Sequence, residues 1–531
     1  MAAVRYVDVD NATGVEDGLS WATAFRAIQT AIDAVYSGGG GEAWVAEGTY
    51  GEQRSFLVTE QLYDLTIDVG SLALKPGVDV YGGFAGNETA IDQRDWRAHS
   101  TVIDGSRSRA GTSAYHVVFS ADNCVLDGFT VTGGNASHSL RDSGGGMFVR
   151  GTSPTVRNCL FVGNSADDVG GAIAVAERSA RFVDCGFESN FATLSGGAVT
   201  TGTGAAFERC FFRYNRSDWG GAVFVHGGTE FKDCIFAENR SNRDGGAAVM
   251  SSWPNLPRFV NCAFVNNESM GGQGGAVFDA GSVSAFDNCS FVGNHTGTMG
   301  GAIAYGATHS ALVNCVFLAN EALAAGGAIY GEGELEEECT GSKDVVLSVT
   351  NCTFVGNVAA APGGAITLHT AYSLQVRNSI LWDNWPDEIN PFENSCGYPT
   401  KDITFSLIAG GYEGTGNLDT DPLFVDPENG DLRLRAESPC IDTATAEGAP
   451  ETDIRGVTRP QGAGFDMGAY EYLSSDTGDV NADKSVDAVD VQLVINGALG
   501  LDTRAALDLD GNGPIDAIDV QMVINAALGV G

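Results

Sequence analysis

Two acidic segments near the end of the chain have the residue types and the spacing to bind metal ions. They read "DVNADKSVDAVD", beginning at Asp479, and "DLDGNGPIDAID", beginning at Asp508. Each places oxygen-bearing side chains at positions 1, 3, 5, 9 and 12 of a twelve-residue stretch, and an apolar helical run follows. Calcium prefers about six to eight oxygen ligands, which a loop of this spacing can wrap around one ion. The segments therefore predict a pair of calcium sites.

The tandem loops, each ending in Asp where an EF-hand has Glu, resemble a type I dockerin, a module that binds cohesin domains. The resemblance covers residues 478–531. It implies two calcium ions held by ten residues, with Ser485 and Pro514 contributing backbone carbonyls: Asp479, Asn481, Asp483, Ser485, Asp490, Asp508, Asp510, Asn512, Pro514 and Asp519. Lys484 occupies a tight-turn position where the second loop has Gly513, so we expect weaker binding in the first loop.

A third group of polar residues lies in the variable segments of a repeat in the middle of the chain. We expect its members to align on successive turns and to form a candidate ligand patch: Asp167, Asp168, Arg216, Asp218, Trp219, Arg240, Arg243 and Asp244. Trp219 and the arginines could bind a sugar, whereas the alternative is a solvated turn face with unrelated charges. A catalytic site would need carboxylates and a base converging on one groove. The polygalacturonase motifs "NTD", "GHG" and "RIK" are absent, so no catalytic residue is predicted.

The cysteines reveal the elements that position this patch. From Cys159 to Cys315 they recur at intervals of 24 to 28 residues, and Cys352 follows after 37. An asparagine stands five residues after each cysteine, a phenylalanine two residues after it, and a Gly-Gly pair beyond the asparagine. Constant offsets indicate that equivalent residues stack on neighbouring turns, with Cys and Phe facing inward and Asn at a corner. The glycines allow the chain to turn, and a parallel β-helix fits this pattern best.

The segments "FVGN", "FESN" and "FLAN", alternating with "GGAI" and "GGAV", resemble the FxxN and GGA[IV] signatures of the polymorphic outer membrane protein repeat. That family forms a right-handed parallel β-helix in surface-exposed bacterial proteins. The resemblance covers roughly residues 144–384, and the C-terminal autotransporter barrel of membrane-inserted members is absent from this sequence.

The flanking segments predict caps for the ends of this solenoid. "GLSWATAFRAIQTAIDAVYSGG" has the apolar spacing of an amphipathic helix, which we expect to cover the first turn. The segment around "DMGAYEY" resembles the closing segment of secreted bacterial β-helix proteins, and a bare solenoid end would expose strand edges. The predicted division is 1–115 for the N-terminal cap and first turns, 116–405 for the repeats, 406–473 for the closing segment and 478–531 for the dockerin.

Twelve cysteines would ordinarily suggest disulfides in a secreted protein. Stacked cysteines, however, have parallel Cβ vectors, so we expect the repeated ones to be buried free thiols, and Cys124 is a candidate to extend the row. Cys339 and Cys396 lie in polar insertions outside the repeat and form the one disulfide that we consider, with bridged and unbridged states both open. Cys440 is expected to stay unpaired.

The charge of the chain limits its partners. There are 29 basic against 68 acidic residues, a net charge of −39, which argues against nucleic acid as a ligand. No apolar run is long enough to span a bilayer and no signal-peptide pattern opens the sequence, so we expect an extracellular or cell-surface protein whose leader is absent from this chain.

These observations favour a non-catalytic extracellular scaffold or adhesive rod, filament-like in form, leaning away from an enzyme. It would be attached through its calcium-dependent dockerin to a cohesin-like domain or to a neighbouring copy of itself, and polysaccharide is a possible ligand. The alternative is a carbohydrate-active enzyme, a polysaccharide lyase or a glycoside hydrolase, delivered to a cohesin scaffold. The β-helix fold is shared by both classes and does not choose between them.

Overall fold

The chain folds into a parallel β-helix, as the repeat predicts. The computed structural model describes residues 3–60, 65–177, 179–202, 204–251, 257–281, 284–306, 309–332, 345–368, 372–391, 401–473, 488–498 and 515, and the statements below concern these residues. Four parallel sheets run along the molecule, and each regular turn in the middle of the chain contributes one strand to each sheet in the order sheet 1, sheet 2, sheet 3, sheet 4.

Sheets 1 and 2 are the longest. Within the described ranges sheet 1 has fourteen strands: Ala3–Val7, Gly41–Ala46, Val78–Phe84, Val125–Asp127, Thr155–Arg157, Arg181–Val183, Ala206–Glu208, Glu230–Lys232, Arg258–Val260, Ala285–Asp287, Ser310–Val313, Val345–Thr350, Tyr372–Arg377 and Lys401–Thr404. Sheet 2 has thirteen: Gly48–Tyr50, Thr101–Asp104, Thr130–Thr132, Leu160–Val162, Gly186–Glu188, Phe211–Arg213, Ile235–Ala237, Ala263–Val265, Ser290–Val292, Val316–Leu318, Thr353–Val355, Ile380–Trp382 and Leu407–Ile408.

Sheets 3 and 4 complete each turn. Sheet 3 consists of nine two-residue strands in the described ranges: Asn135–Ala136, Ser165–Ala166, Phe191–Ala192, Arg216–Ser217, Arg240–Ser241, Glu268–Ser269, His295–Thr296, Glu321–Ala322 and Val358–Ala359. Sheet 4 has twelve: Leu72–Ala73, Val118–Phe119, Met147–Arg150, Ile173–Ala176, Val199–Thr201, Val223–Val225, Ala248–Met250, Val277–Asp279, Ile303–Tyr305, Ile329–Gly331, Ile366–Leu368 and Ile389–Pro391.

The remaining elements are short. Two antiparallel hairpins pair Leu57–Glu60 with Leu65–Asp68 and Phe424–Asp426 with Asp431–Leu434. Single 3-10 turns span Trp21–Thr23, Ile91–Gln93 and Pro427–Asn429. The α-helices are α1, Ile28–Ser37, and α2, Ala488–Ala498.

The predicted phenylalanines stack inside the β-helix. Neighbouring rings of the sheet 2 row lie nearly parallel; the Phe264 centroid is 4.8 Å from that of Phe236 and 4.7 Å from that of Phe291. A second row on sheet 1, which includes Phe259 and Phe286, meets the first edge to face. These fully buried rings form the centre of a continuous core.

The predicted asparagines form a ladder at the corner between sheets 2 and 3. The side-chain oxygen of Asn267 accepts hydrogen bonds from both the backbone N–H and the side-chain Nδ2 of Asn239, each at 3.0 Å. Its own Nδ2 donates to the carbonyl of Phe236 at 2.9 Å. The same pattern repeats from Asn164 to Asn384, and the carboxyl of Glu388 accepts the last of these bonds.

The cysteine row is confirmed except at one position. All ten cysteines that the structure describes are buried free thiols, including Cys440. On the turn before Cys159 the row is occupied by Phe129, because the Phe129 carbonyl accepts the N–H of Leu160 just as the Cys159 carbonyl accepts the N–H of Gly186 on the next turn. The prediction that Cys124 extends the row is wrong, because Cys124 precedes the sheet 1 strand and the other cysteines follow it. Cys339 and Cys396 lie outside the described residues, so their bridge stays a prediction.

The N-terminal helix covers the first turns, as expected, although it is shorter than the pattern suggested. Helix α1 begins at Ile28 and buries Ile28, Ile32 and Val35 against the core. The preceding residues form a 3-10 turn at Trp21, whose indole donates to the carbonyl of Glu88 at 2.9 Å.

Only the first residues of the predicted closing segment, 406–473, contact the end of the core, and the rest of the segment lies elsewhere than expected. It packs sideways on the outer face of sheet 2, where Phe424, Leu432 and Met467 bury Val316 and Ile380. The end of the core is instead contacted by Tyr412, in the loop that follows the last sheet 2 strand. The outer surface of sheet 2 in the last turns is apolar, and burying it on a fold-back segment stabilises both parts.

Candidate active site

Two aspartates stand side by side at the corner between sheets 3 and 4. Asp142 and Asp168 each lie two residues before a Gly-Gly pair, on neighbouring turns. The backbone N–H of Asp168 donates to the carbonyl of Asp142 at 2.9 Å, which places the two residues in the same position of successive turns. Both are half-buried. Their adjacency is therefore a consequence of the stacking register.

The environment of this pair favours a proton on one carboxyl. Burial, followed by the nearby charge of Asp142, raises the pKa of Asp168, and a hydrogen bond from Ser143 partly opposes the shift. The Ser143 hydroxyl also donates to Asp142 at 3.3 Å. Two carboxylates in one site cannot both ionise freely, and this is the arrangement from which acid and base pairs are made.

The outer face of sheet 4 beside the pair is aromatic. The ring of His116 stacks on Phe148 with centroids 4.7 Å apart, and Phe119 lies against Phe148. The Nδ1 of His116 lies 3.0 Å from the carbonyl of Gly144, and burial lowers the pKa of this histidine to about 4. The guanidinium of Arg141 lies 5.9 Å from the Phe148 ring centroid. The site thus combines carboxyl groups, a buried cation and an apolar platform.

Four of the predicted patch residues continue this corner. The N–H of Arg243 donates to the carbonyl of Asp218 at 2.9 Å, so these two are stacked as Asp142 and Asp168 are. The guanidinium of Arg243 lies 5.3 Å from the Trp219 ring centroid. Asp244 accepts a bond from the N–H of Gln273 at 2.6 Å, and burial raises the pKa of its carboxyl. Trp219 lies two turns from Asp168, about 10 Å along the axis.

The other predicted patch residues lie apart from this column. Arg216 and Arg240 pair with each other on sheet 3, and Arg240 makes a 3.2 Å salt bridge with Glu268. Asp167 is exposed beside Asp168. The patch is therefore divided between the corner and the outer face of sheet 3.

Sequence reasoning missed Asp142, Arg141 and His116. Asp142 lies within an irregular stretch, "ASHSLRDS", which lacks the repeated cysteine and asparagine. Counting back from the Gly-Gly pair would have aligned it with Asp168. The approach of His116 and Arg141 depends on side-chain packing in an atypical turn, which the repeat pattern does not encode.

A separate cleft of about 280 Å³ opens on the outer face of sheet 2. Trp96 and Phe211 line it, together with the polar side chains of Asn158 and Asp184. It lies near the corner between sheets 1 and 2, away from the aspartate pair, so this cleft and the carboxyl pair occupy different faces.

No cluster of three or more metal-ligating side chains is found among the residues that the structure describes. The predicted calcium ligands lie outside them, except Asp490, which stands in α2. In the described part of the chain, no helix is both long and apolar enough to cross a membrane.

Two family models match the chain. One is described as a right-handed beta helix region and matches residues 196–396; the other is a dockerin type I domain and matches residues 477–528. The chain carries a right-handed β-helix and a C-terminal type I dockerin. Type I dockerins typically bind calcium, and such a module implies a cohesin partner. Neither model is that of the polymorphic outer membrane protein repeat, so that resemblance stays a prediction.

The chain is also similar to several solved structures. Pectate lyase Pel9A is 12% identical, with 88% of this chain and 96% of that chain covered and a TM-score of 0.34. The A-module of mannuronan C-5 epimerase AlgE6 from Azotobacter vinelandii is 16% identical, with 78% and 100% covered and a TM-score of 0.37. An α-1,3-glucanase from Streptomyces thermodiastaticus is 11% identical, with 75% and 71% covered and a TM-score of 0.33. No curated protein matches the chain.

The sequence favoured a protein that is not an enzyme, and this comparison corrects that prediction. The three β-helix structures named above are a lyase, an epimerase and a glucanase. At these identities and TM-scores the likeness assigns no activity, so any activity of this chain has to be argued from its own residues.

Proposed function

We propose that this protein is a carbohydrate-active enzyme that hydrolyses a polysaccharide and is held on a cohesin-bearing partner by its dockerin. The observation that carries the proposal is the juxtaposition of Asp142 and Asp168, with a raised pKa on Asp168, beside an aromatic sheet face. Glycoside hydrolysis uses two carboxyl groups, one protonated and one ionised.

In this proposal Asp168 is the general acid. Its raised pKa keeps the proton available for the oxygen of the departing sugar, while Asp142 acts as the base or nucleophile on the other side of the bond. His116, neutral and packed on Phe148, positions the aromatic platform and takes no proton in the reaction.

The rest of the corner would hold the polysaccharide. A polysaccharide lying parallel to the axis of the β-helix would pass from Asp168 to Trp219, which is about 10 Å away, the rise of about two turns. Trp219 offers a ring for stacking, and Arg243 and Asp244 offer hydrogen-bonding groups. These roles make the predicted patch a substrate surface, with Arg216 and Arg240 outside it.

The test is the activity of Asp168→Asn on a panel of neutral and acidic polysaccharides. Reducing ends report hydrolysis, and ultraviolet absorbance of unsaturated sugars reports elimination. We expect hydrolysis by the wild-type protein and a loss of about 100-fold or more in the variant. The wild-type rate should fall as pH rises through the raised pKa of Asp168, because the proton donor is then lost.

Asp233→Asn is the matched control. Asp233 lies at the opposite corner, where its carboxylate accepts a bond from Asn261 at 2.9 Å, and the change removes one charge there. Full activity of Asp168→Asn, or no cleavage of any polysaccharide by the wild type, would refute the proposal. Unsaturated products would assign a lyase in place of a hydrolase.

The dockerin would attach this enzyme to a larger extracellular or cell-surface assembly. We propose two calcium ions in its loops, the first held by Asp479, Asn481 and Asp483 with Ser485 and Asp490, and the second by Asp508, Asp510 and Asn512 with Pro514 and Asp519. Their carboxylate-rich composition suits a hard cation with oxygen ligands. Calcium titration by calorimetry, with and without a chelator, would count the ions.

A further inference from the structure

The cleft on sheet 2 is built by a loop and by two glycines. Trp96 stands in the loop after the 3-10 turn Ile91–Gln93, and its backbone packs on Gly83 and Gly128. A Cβ added at Gly83 would lie 2.4 Å from the Cα of Trp96, and one added at Gly128 would lie 3.0 Å from its Cβ. Both glycines have positive φ angles, so the loop is held by positions that exclude larger residues.

Phe211 also lines the cleft. Its ring lies over Gly186, where an added Cβ would be 2.3 Å from the Cζ of Phe211. Gly186 occupies a position in sheet 2 that carries Leu160 on the preceding turn. The missing side chain lets Phe211 lean across the sheet, and the cleft that remains toward Trp96 has a volume of about 280 Å³.

The rim of the cleft is polar and its charges are balanced. Asp184 makes two bonds with Arg209, at 2.8 and 2.9 Å. The Nδ2 of Asn158 donates to Asp127 at 2.8 Å, which leaves its side-chain oxygen as the group that can accept a hydrogen bond. Asp127 in turn is paired with Arg94 and Arg157. The rim therefore offers fixed acceptors, and its cations are engaged by carboxylates.

We propose that this cleft binds one ring of a neutral polysaccharide, at a site separate from the aspartate pair. The aromatic side chains in the lining suit the apolar faces of a pyranose, and the carboxylate of Asp184 and the carboxamide of Asn158 suit its hydroxyls. A neutral sugar fits better than a uronate, because the local cations are engaged and the chain carries a net charge of −39. The choice of a saccharide ligand rests on the proposed function.

The experiment is calorimetric titration of the full chain with cellohexaose, xylohexaose, mannohexaose and hexagalacturonate. We expect at least one neutral oligosaccharide to bind and hexagalacturonate to bind least. Trp96→Ala and Phe211→Ala should each weaken binding by about tenfold or more, because each removes a stacked ring. Trp96→Phe should restore most of the affinity.

Two variants separate this site from the catalytic proposal. Asp168→Asn should bind the oligosaccharide as the wild type does, even if it has lost activity. Trp385→Ala, which removes a tryptophan that is 67% exposed beside sheet 3, should also leave binding unchanged. Unaltered thermal unfolding of each variant confirms the fold. Unchanged binding in Trp96→Ala, or no binding of any probe by the wild type, would overturn the proposed site.

Discussion

Each position in a turn has a fixed physical task, and the tasks differ in what their loss would cost. Phe264 is fully buried between two parallel rings, so its removal leaves a cavity that the rigid stack cannot close. Asn267 is also fully buried, but it works through hydrogen bonds to the turns on both sides. Packing and polar satisfaction are thus separate contributions at residues only three positions apart.

Phe264→Ala should lower the free energy of unfolding by about 3 to 5 kcal/mol, the cost of a large cavity. Asn267→Ala should also be destabilising, by about 1 to 3 kcal/mol for each buried group of Asn239 left unpaired. Asn242→Ala, at an exposed corner position, is the control and should cost little. Chemical denaturation measures all three, and equal tolerance of the three changes would contradict the assigned turn positions.

The repeated offsets made these residues predictable, since a constant spacing through eight copies fixes which side chains stack. A second ladder escaped notice although it precedes the cysteines. Asn288 donates to Asn261 at 3.1 Å, and Asn314 donates to Asn288 at 3.0 Å, all three with positive φ angles. The signal was the recurring "NC" pair. Asp142 was harder to find because its turn keeps the Gly-Gly pair and little else of the repeat.

At the scale of elements, the inner asparagine ladder ends on an ionisable group. Glu388 is 6% exposed and accepts bonds from the backbone N–H and side chain of Asn384. Burial raises the pKa of Glu388 to about 7. In the closing segment, burial and the neighbouring Glu471 raise the pKa of Asp466 to about 7 as well. The carboxyl groups of Glu388 and Asp466 therefore hold a proton more tightly in the folded state than in the unfolded state.

The stability of the β-helix should consequently fall as pH rises. A carboxyl whose pKa is higher in the folded state contributes stability below its unfolded pKa, near 4.5 for Glu388, and loses that contribution by about pH 7. Glu388→Gln should flatten part of this dependence, by on the order of 3 kcal/mol for a shift of this size. Urea unfolding at pH 4.5, 6 and 8 measures this pH dependence. If the free energy of unfolding changes with pH equally in the variant and in the wild type, Glu388 is not the group responsible.

The closing segment could be recognised in the sequence but its location could not. Its contacts join residues more than a hundred positions apart, as when Asn351 donates to the carbonyl of Asp466 at 3.1 Å. Its buried salt bridge joins Arg459 to Glu471 at 2.8 Å. The sequence shows acidic and basic residues in this segment but does not show which of them pair. A repeated spacing predicts which residues of neighbouring turns contact each other, whereas a segment without a repeat carries no such signal for its contacts.

At the scale of the whole molecule, charge and the dockerin determine association. A net charge of −39 keeps copies apart in solution, and bound calcium would offset part of it near the C-terminus. A cohesin-bearing partner gives a closed pair. A dockerin that bound the rod of a neighbouring copy would instead give a head-to-tail contact that propagates.

Light scattering with millimolar calcium, and then with chelator, distinguishes these arrangements. We expect a monomer under both conditions and calcium-dependent capture by a cohesin, because the dockerin implies that partner. A chain ending at Leu473 is the matched control and should not be captured. Calcium-dependent polymers that vanish in the shortened chain would show self-assembly instead.

The lateral closing segment also has a consequence for the fidelity of folding. Adjacent turns are so alike that a growing stack could skip one turn and still satisfy its phenylalanine and asparagine ladders. The closing segment does not tolerate that error, because its contacts on sheet 2 differ from turn to turn. Val316 and Ile380 pack against its apolar side chains, whereas the hydroxyl of Thr353, on the turn between them, accepts the N–H of Ala469 at 2.9 Å. A skipped turn would bring a side chain of another kind to these contacts, although the asparagines that bond to carbonyls of the closing segment recur on neighbouring turns. The closing segment therefore packs only on correctly ordered turns. A chain that has skipped a turn leaves the apolar outer face of sheet 2 exposed to water.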